Sequence, residues 1–148
     1  MNIAIDGDGC PVVHETIALA KQYDIPCTIF CDTSHLIRDD YATTVTISTG
    51  RDAVDFALFQ RVSRGDLVVT QDYGLAAIAL GKGCIVINED GKQYTDETID
   101  YLLQQRHHHA QLRRSNKRVK GPKKRKKEQD EQFIRTLSTL LAEHAPSH

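Results

Sequence analysis

The chemistry legible in this sequence lies in five aspartates: Asp6 and Asp8 in IAIDGD, Asp52 and Asp55 in GRDAVD, and Asp72 in VVTQD. The first pair and the last follow short apolar runs; the middle pair opens a helical pattern. Two ionised carboxylates about 4 Å apart repel by roughly 4 kcal/mol at an effective dielectric near 20. Carboxylates that are gathered must therefore protonate, separate or share a cation. No His or Cys stands at matching positions, so a metal set of Asp6, Asp8, Asp52, Asp55 and Asp72 favours Mg2+ or Mn2+. Such an ion holds a phosphodiester, polarises it and acidifies an attacking water. Asp6, Asp55 and Asp72 are the expected catalytic carboxylates. The competing reading of any one acid is a helix cap. Capping needs one acid per helix, and two of these junctions supply two.

Whether the acids meet depends on the elements that carry them. Apolar runs at Asn2–Ile5, Ile25–Cys31, Thr43–Ile47, Leu67–Thr70 and Cys84–Ile87 read as strands. Amphipathic patterns at Val12–Gln22, Asp52–Val62 and Leu75–Leu80 read as helices between them. Strands spaced by helices predict an α/β fold, a three-layer Rossmann-like sandwich with a mostly parallel central sheet. The strands are continuous apolar runs, as when both sheet faces are covered. Ligands of such sheets bind beyond the carboxyl ends of the strands, where all five aspartates fall. Asp52 and Asp55, three apart, share a helix face. Asp66, in the turn before the fourth strand, falls at the opposite edge and reads as structural; Asp39 and Asp40 read as a solvated loop.

The chain has 148 residues, 40% of them hydrophobic and 26% charged, which suits one globular domain. No apolar stretch is long enough for a membrane span. MNIAIDGDG lacks the basic and apolar regions of a signal peptide. A cytoplasmic location is expected, with Cys10, Cys27, Cys31 and Cys84 reduced. Cys10 stands at a helix N-terminus, where a thiol's pKa falls, yet packing is preferred over nucleophilic work. Zinc is not indicated, since there is no paired CxxC pattern.

Net charge is −1, but residues 1–105 hold 7 Lys+Arg against 16 Asp+Glu, and residues 106–148 hold 12 against 4. Three parts are expected: an α/β domain over 1–105, whose last helix is capped by Thr95 and ends near Gln105; a basic segment, 106–127, as a tethered loop; and an amphipathic helix, 128–148. In that helix Phe133, Ile134, Leu137, Leu140 and Leu141 form one face that packs on the domain. Arg113, Arg114, Lys117, Arg118, Lys120, Lys123, Lys124, Arg125, Lys126 and Lys127 form the expected nucleic-acid contact. Counterion release favours a polyanion there, read through its backbone without sequence preference. Few aromatics interleave the run, so base stacking is not indicated. The tract His107–His109 is assigned no role.

The segments DGDGCPVV, DAVDFAL and GDLVVTQDYGLAAIALGKG, and the later KGPKK followed by Asp130, Phe133 and Leu137, closely resemble the bacterial YaiI/YqxD family. That family looks like a branch of the PIN-like superfamily, which implies a metal-dependent nuclease fold. On that resemblance the superfamily's first acid falls on Asp6, its helix acids on Asp52 and Asp55, and its later acid on Asp72. Asp8 belongs to the family's own DxDxCP block, and Thr70 and Gln71 line the same edge. The expected function is Mg2+- or Mn2+-dependent phosphodiester hydrolysis, with RNA slightly favoured over DNA. One alternative is a phosphatase of the haloacid-dehalogenase type, since IAIDGDG matches its hhhhDxDG opening. Asp6 would then be the nucleophile and Asp8 the acid/base. Another is a non-catalytic nucleic-acid-binding protein whose acids cap helices.

Overall fold

The computed structural model describes residues 1–32, 37–47, 51–114 and 124–144; at 51–52 and 106–114 the backbone alone is described. The strands are β1 (Ile3–Asp6), β2 (Cys27–Asp32), β3 (Thr43–Ile47), β4 (Leu67–Val69) and β5 (Ile85–Ile87). The helices are α1 (Val13–Gln22), α2 (Arg51–Arg61), α3 (Tyr73–Gly81), α4 (Asp96–Arg114) and α5 (Lys127–His144). The sheet order is β3-β2-β1-β4-β5, and every neighbouring pair is parallel. The expected sheet is thus wholly parallel among its named strands.

Alternation along each strand builds two cores. Ile3, Ile5, Ile29, Val69 and Ile87 face one side, where α1 and α5 bring Val13, Ile17, Ala20, Phe133, Leu137 and Leu141. Ala4, Phe30, Val68 and Val86 face the other, with Val54 and Leu58 of α2, Leu75 and Ala79 of α3, and Ile99 of α4. Side chains such as Ile5, Ile29, Leu58 and Leu137 are fully buried, each worth about 1.5–3 kcal/mol of transfer free energy. These layers hold the strand ends rigidly, and the site depends on that. The strand order reverses at β1, which lies between β2 and β4, so the crevice beyond β1 and β4 is a topological switch point.

Asp66 is structural, as expected. It is 6% exposed and accepts from the Asn2 N–H and the Ser63 N–H, both at 2.9 Å. It ties the start of β1 to the turn before β4, at the edge away from the crevice. Asp39 accepts from the Tyr41 and Ala42 N–H groups and so fixes a turn.

Two features of the C-terminal region differ from expectation. The helix expected to stop near Gln105 runs on to Arg114. Nothing between Gln105 and Arg114 is Gly or Pro, and Arg, Ala, Gln and Leu in that stretch propagate a helix well. Secondly, Arg125, expected to contact nucleic acid, turns inward. Its Nε donates to Asp130 Oδ1 at 2.7 Å, its Nη1 to Asp90 Oδ1 at 2.8 Å, and its Nη2 to the Glu89 carbonyl at 2.6 Å. A planar fork with three acceptors already in place has little left for a phosphate. Gly91 completes this anchor: with φ of +82°, it lets the turn approach α5 so closely that a Cβ would lie 3.0 Å from the Phe133 Cα. Of the helix face, Phe133, Leu137, Leu140 and Leu141 are buried, and Ile134 sits at its border, 38% exposed.

Replacing Arg125 by Met should lower stability by about 2 kcal/mol, since hydrogen bonds to charged partners are worth about 1.5–3 kcal/mol. Lys126→Met and Lys127→Met, on exposed side chains, should change it by less than about 0.5 kcal/mol. Denaturant unfolding of the three variants checks the ordering.

Candidate functional site

At the end of β1 the chain must turn sharply across the end of β2. Gly7 makes this feasible: its N–H donates to the Phe30 carbonyl at 2.8 Å, and a Cβ there would lie 2.9 Å from Ile29 Cγ2 and 3.1 Å from the Phe30 oxygen. The turn leaves Asp6 on the strand end and carries Asp8 back towards β2, where Asp8 Oδ1 accepts from the Asp32 N–H at 3.2 Å. The Gln71 amide donates to the Gly9 carbonyl at 2.9 Å and joins this turn to the one after β4.

Thr70 organises the β4 side. It is 1% exposed; its hydroxyl donates to Asp6 Oδ2 at 2.8 Å and accepts from the Asp72 N–H at 3.0 Å. Asp72 is the N-cap of α3, accepting from the Leu75 N–H at 3.1 Å. The cap reading is therefore right for Asp72, and it does not remove Asp72 from the cleft. Asp6, Asp8, Asp55, Gln71, Asp72, Val54 and Tyr73 together line a cavity of about 380 Å³. The structure thus brings four of the five expected acids, from three stretches of chain, to one cleft. The fifth, Asp52, lies outside the described side chains.

Crowding and burial mark Asp6. Its carboxyl is raised from 3.8 to about 6, first by burial and then by the charges of Asp72 and Asp8, against the lowering effect of the Thr70 hydrogen bond. A carboxylate so placed gains from any cation that enters. The donors are all hard oxygens, the kind Mg2+ and Mn2+ prefer. Among the described residues no three His, Cys, Asp or Glu side chains stand close enough to hold one ion directly. The set fits an ion held by one or two carboxylates with water filling its remaining positions, as Mg2+ commonly is.

Cys10 does not carry the lowered pKa its helix-start position suggested. Burial foremost, with Asp6, Glu89 and Glu15 nearby, pushes it up to about 11, and its side chain packs against the core on the α1 side of the sheet. Cys27, Cys31 and Cys84 are buried free thiols. Of the expected nucleic-acid contacts, Lys124, Lys126 and Lys127 are exposed. Lys117, Arg118, Lys120 and Lys123 lie outside the described residues, and Arg113 and Arg114 belong to α4 with side chains outside the description. Tyr73, which lines the cleft, went unremarked in the sequence; its place directly after the capping Asp72 was the available signal.

No helix among the described residues is long and apolar enough to cross a membrane. No solved structure matches the chain. Among curated proteins, it is 49% identical to a UPF0178 protein of Exiguobacterium sibiricum, covering 97% of this chain and 98% of that one. It is 47% identical to one of Clostridium acetobutylicum (95% and 97% covered) and 41% identical to one of Bacillus cereus (96% and 99%). A family described as "Uncharacterized BCR, YaiI/YqxD family" matches residues 4–143, and with these near-full-length relatives it shows that the chain belongs to the YaiI/YqxD family.

Proposed function

We propose that the cleft is the active site of a Mg2+- or Mn2+-dependent phosphodiesterase acting on nucleic acid, in the manner of PIN-like nucleases, with RNA favoured over DNA. The observation that carries the reading is the meeting of Asp6, Asp8, Asp55 and Asp72 in one cavity at the switch point. Capping accounts for Asp72, whereas Asp6 accepts from a threonine hydroxyl and Asp8 from a strand N–H. A divalent ion held there supplies charge neutralisation for the phosphate and a lowered pKa for attacking water.

The chain's own part is positional and electrostatic. Thr70 holds Asp6 Oδ2, which leaves Oδ1 as the oxygen to face a cation. Asp72 is fixed by its cap, so its second oxygen is presented from a rigid helix start. Without a cation the Asp6 carboxyl is raised to about 6, first by burial and then by the charges of Asp72 and Asp8, so it is the carboxyl that gains most from a bound divalent ion. A dehalogenase-type phosphatase would use Asp6 as nucleophile, but Cys10 stands where that opening motif usually has Thr or Val. Lys124, Lys126 and Lys127 supply exposed positive charge for the phosphate backbone; Arg125, spent on its internal fork, does not.

Asp6→Asn and Asp72→Asn should each reduce Mn2+-dependent cleavage of a single-stranded oligoribonucleotide by at least about 100-fold, the scale of losing a general base or an electrostatic stabiliser. Asn caps a helix as well as Asp does, so Asp72→Asn should keep its stability, whereas Asp72→Ala should lose about 1 kcal/mol. Native rates in both Asn variants would refute the site.

With divalent ions chelated, the raised Asp6 carboxyl predicts a pH dependence of stability. Its folded-state value near 6 exceeds the unfolded 3.8, so its stabilising contribution is full below 3.8 and is lost as pH rises through 6. The loss is on the order of 3 kcal/mol, at about 1.4 kcal/mol per unit. Asp6→Asn should therefore gain stability relative to the native chain between pH 5 and 8, and Mn2+ should shrink that gain. Unfolding curves across this range, with EDTA and with Mn2+, provide the check.

Reversing Lys124, Lys126 and Lys127 to Glu should weaken oligonucleotide binding and flatten its dependence on salt. An unchanged salt slope would remove these lysines from the interface.

A further inference from the structure

Beside the carboxylate cleft lies a second cavity of about 410 Å³, beyond Tyr73, which lines both. Its character differs. Tyr73, Tyr94, Tyr101 and Leu102 form apolar and aromatic walls, and Lys92 and Gln93 stand at its polar side. Tyr73 and Tyr94 meet edge to face, with ring centroids 6.1 Å apart and planes at 70°. Tyr94 is 4% exposed and fixed from below, its hydroxyl donating to the Thr70 carbonyl at 3.4 Å. Tyr101, on α4, is 60% exposed, and its hydroxyl accepts from Gln105 Nε2 at 2.7 Å. A large ring held at a cavity mouth, with most of its surface in water, is an unfilled contact surface.

The charges here argue against a phosphate. Glu89 and Asp90 also line the cavity, and Asp90 is already paired with Arg125. A flat, neutral ring with donors and acceptors on its edge suits the place better. The side-chain amide of Gln93 and the Lys92 ammonium make no hydrogen bond or ion pair among the described residues, so both can meet such an edge. The turn that carries them is rigid: Asn88 Oδ1 accepts from the Asp90 N–H at 2.9 Å and from the Lys92 N–H at 2.8 Å. The volume is within the range of small-ligand sites, roughly 300–1,000 Å³.

We propose that this cavity seats an unpaired nucleobase of the substrate, stacked on Tyr101, while the adjoining phosphate lies over the carboxylate cleft across Tyr73. The inference rests on the phosphodiesterase reading and extends it. A paired base has its edge and both faces occupied, so seating in the cavity selects single-stranded nucleic acid or a flipped nucleotide. Stacking that base-blind rings provide tolerates any sequence. The aromatic surface thus stands on the α/β body, although the basic run, poor in aromatics, gave no reason to expect stacking.

The test compares adenosine and uridine 5′-monophosphates with ribose 5-phosphate, which keeps the phosphate and lacks the base, titrated calorimetrically into the Mn2+-loaded full chain. The native chain should bind both nucleotides at least about tenfold more tightly than the sugar phosphate, the size of one stacking contact. Tyr101→Ala should erase the preference and Tyr101→Phe should keep it; with Tyr101 so exposed, both variants should fold. Gln93→Ala should weaken nucleotide binding and leave ribose 5-phosphate unaffected. Equal affinities in the native chain, no binding of either nucleotide, or a preference that survives Tyr101→Ala would overturn the proposal. Failure of the underlying reading shows separately, as base preference without Mn2+-dependent cleavage.

Discussion

Everything at the cleft depends on β1 and β4 lying side by side in parallel. Their register pairs Ile3 with Leu67, Ala4 with Val68 and Ile5 with Val69. The next residue of each chain is then Asp6 and Thr70, 64 positions apart in sequence and 2.8 Å apart through their side chains. Neither strand can slip, because a one-residue shift would turn both faces of a doubly covered sheet inside out. Carboxylates that repel are thereby held together by the packing of the two cores. The raised Asp6 carboxyl reflects that placement, first through burial and then through the charges of Asp72 and Asp8. Strain of this kind persists only where the surrounding structure over-determines it.

Thr70 converts the register into a site. Its backbone N–H donates to the Ile87 carbonyl and its carbonyl accepts from Tyr94, while its hydroxyl serves Asp6 and the start of α3. One buried residue therefore joins β1, β5, the α3 cap and the aromatic floor of the second cavity. Serine could reproduce these hydrogen bonds, but it lacks the methyl group that stiffens χ1 in a β-branched residue. A displaced hydroxyl here would move Asp6 and Asp72 together.

How much of this could be read in the sequence follows from the range of the interactions involved. Strands buried on both faces leave continuous apolar runs, which made β1, β2, β4 and β5 visible, while the half-exposed edge strand β3 showed through its β-branched residues; acids that follow such runs could be placed at one edge by topology alone. The Asp66 turn was likewise legible, since an acid before a strand falls at the other edge. Arg125 was not. Nothing local separates it from Lys124 and Lys126; its fate is set by Asp90, 35 residues away, at a turn held open by Gly91. Cys10 misled through its burial: its position promised a lowered pKa, but burial, with the charges of Asp6, Glu89 and Glu15, outweighs a helix start. The aromatic cavity was hidden because Tyr73, Tyr94 and Tyr101 come from α3, the turn after β5 and α4, and no spacing rule joins them.

The separation of charge along the chain acquires a structural sense from the helices that flank the basic segment. α4 carries its first part and packs on α3, the helix whose first turn is capped by Asp72; α5 leads out of it and packs on α1, the helix that follows Asp8. Both helices are thus tied to elements that begin at the cleft. The outgoing tie is specific, since Arg125 binds Asp90 and Asp130 while Gly91 lies against α5. An acidic body repels a polyanion at long range, and at physiological ionic strength that field decays over about 8 Å. On the proposed reading, positive charge tied to the body would offset that repulsion at short range, whereas the same charge on a distant free tail would be screened before it helped. The fork of Arg125 is the tie: one cation of the run is given up to the fold, and its exposed neighbours Lys124, Lys126 and Lys127 are thereby held at an anchored point of the chain.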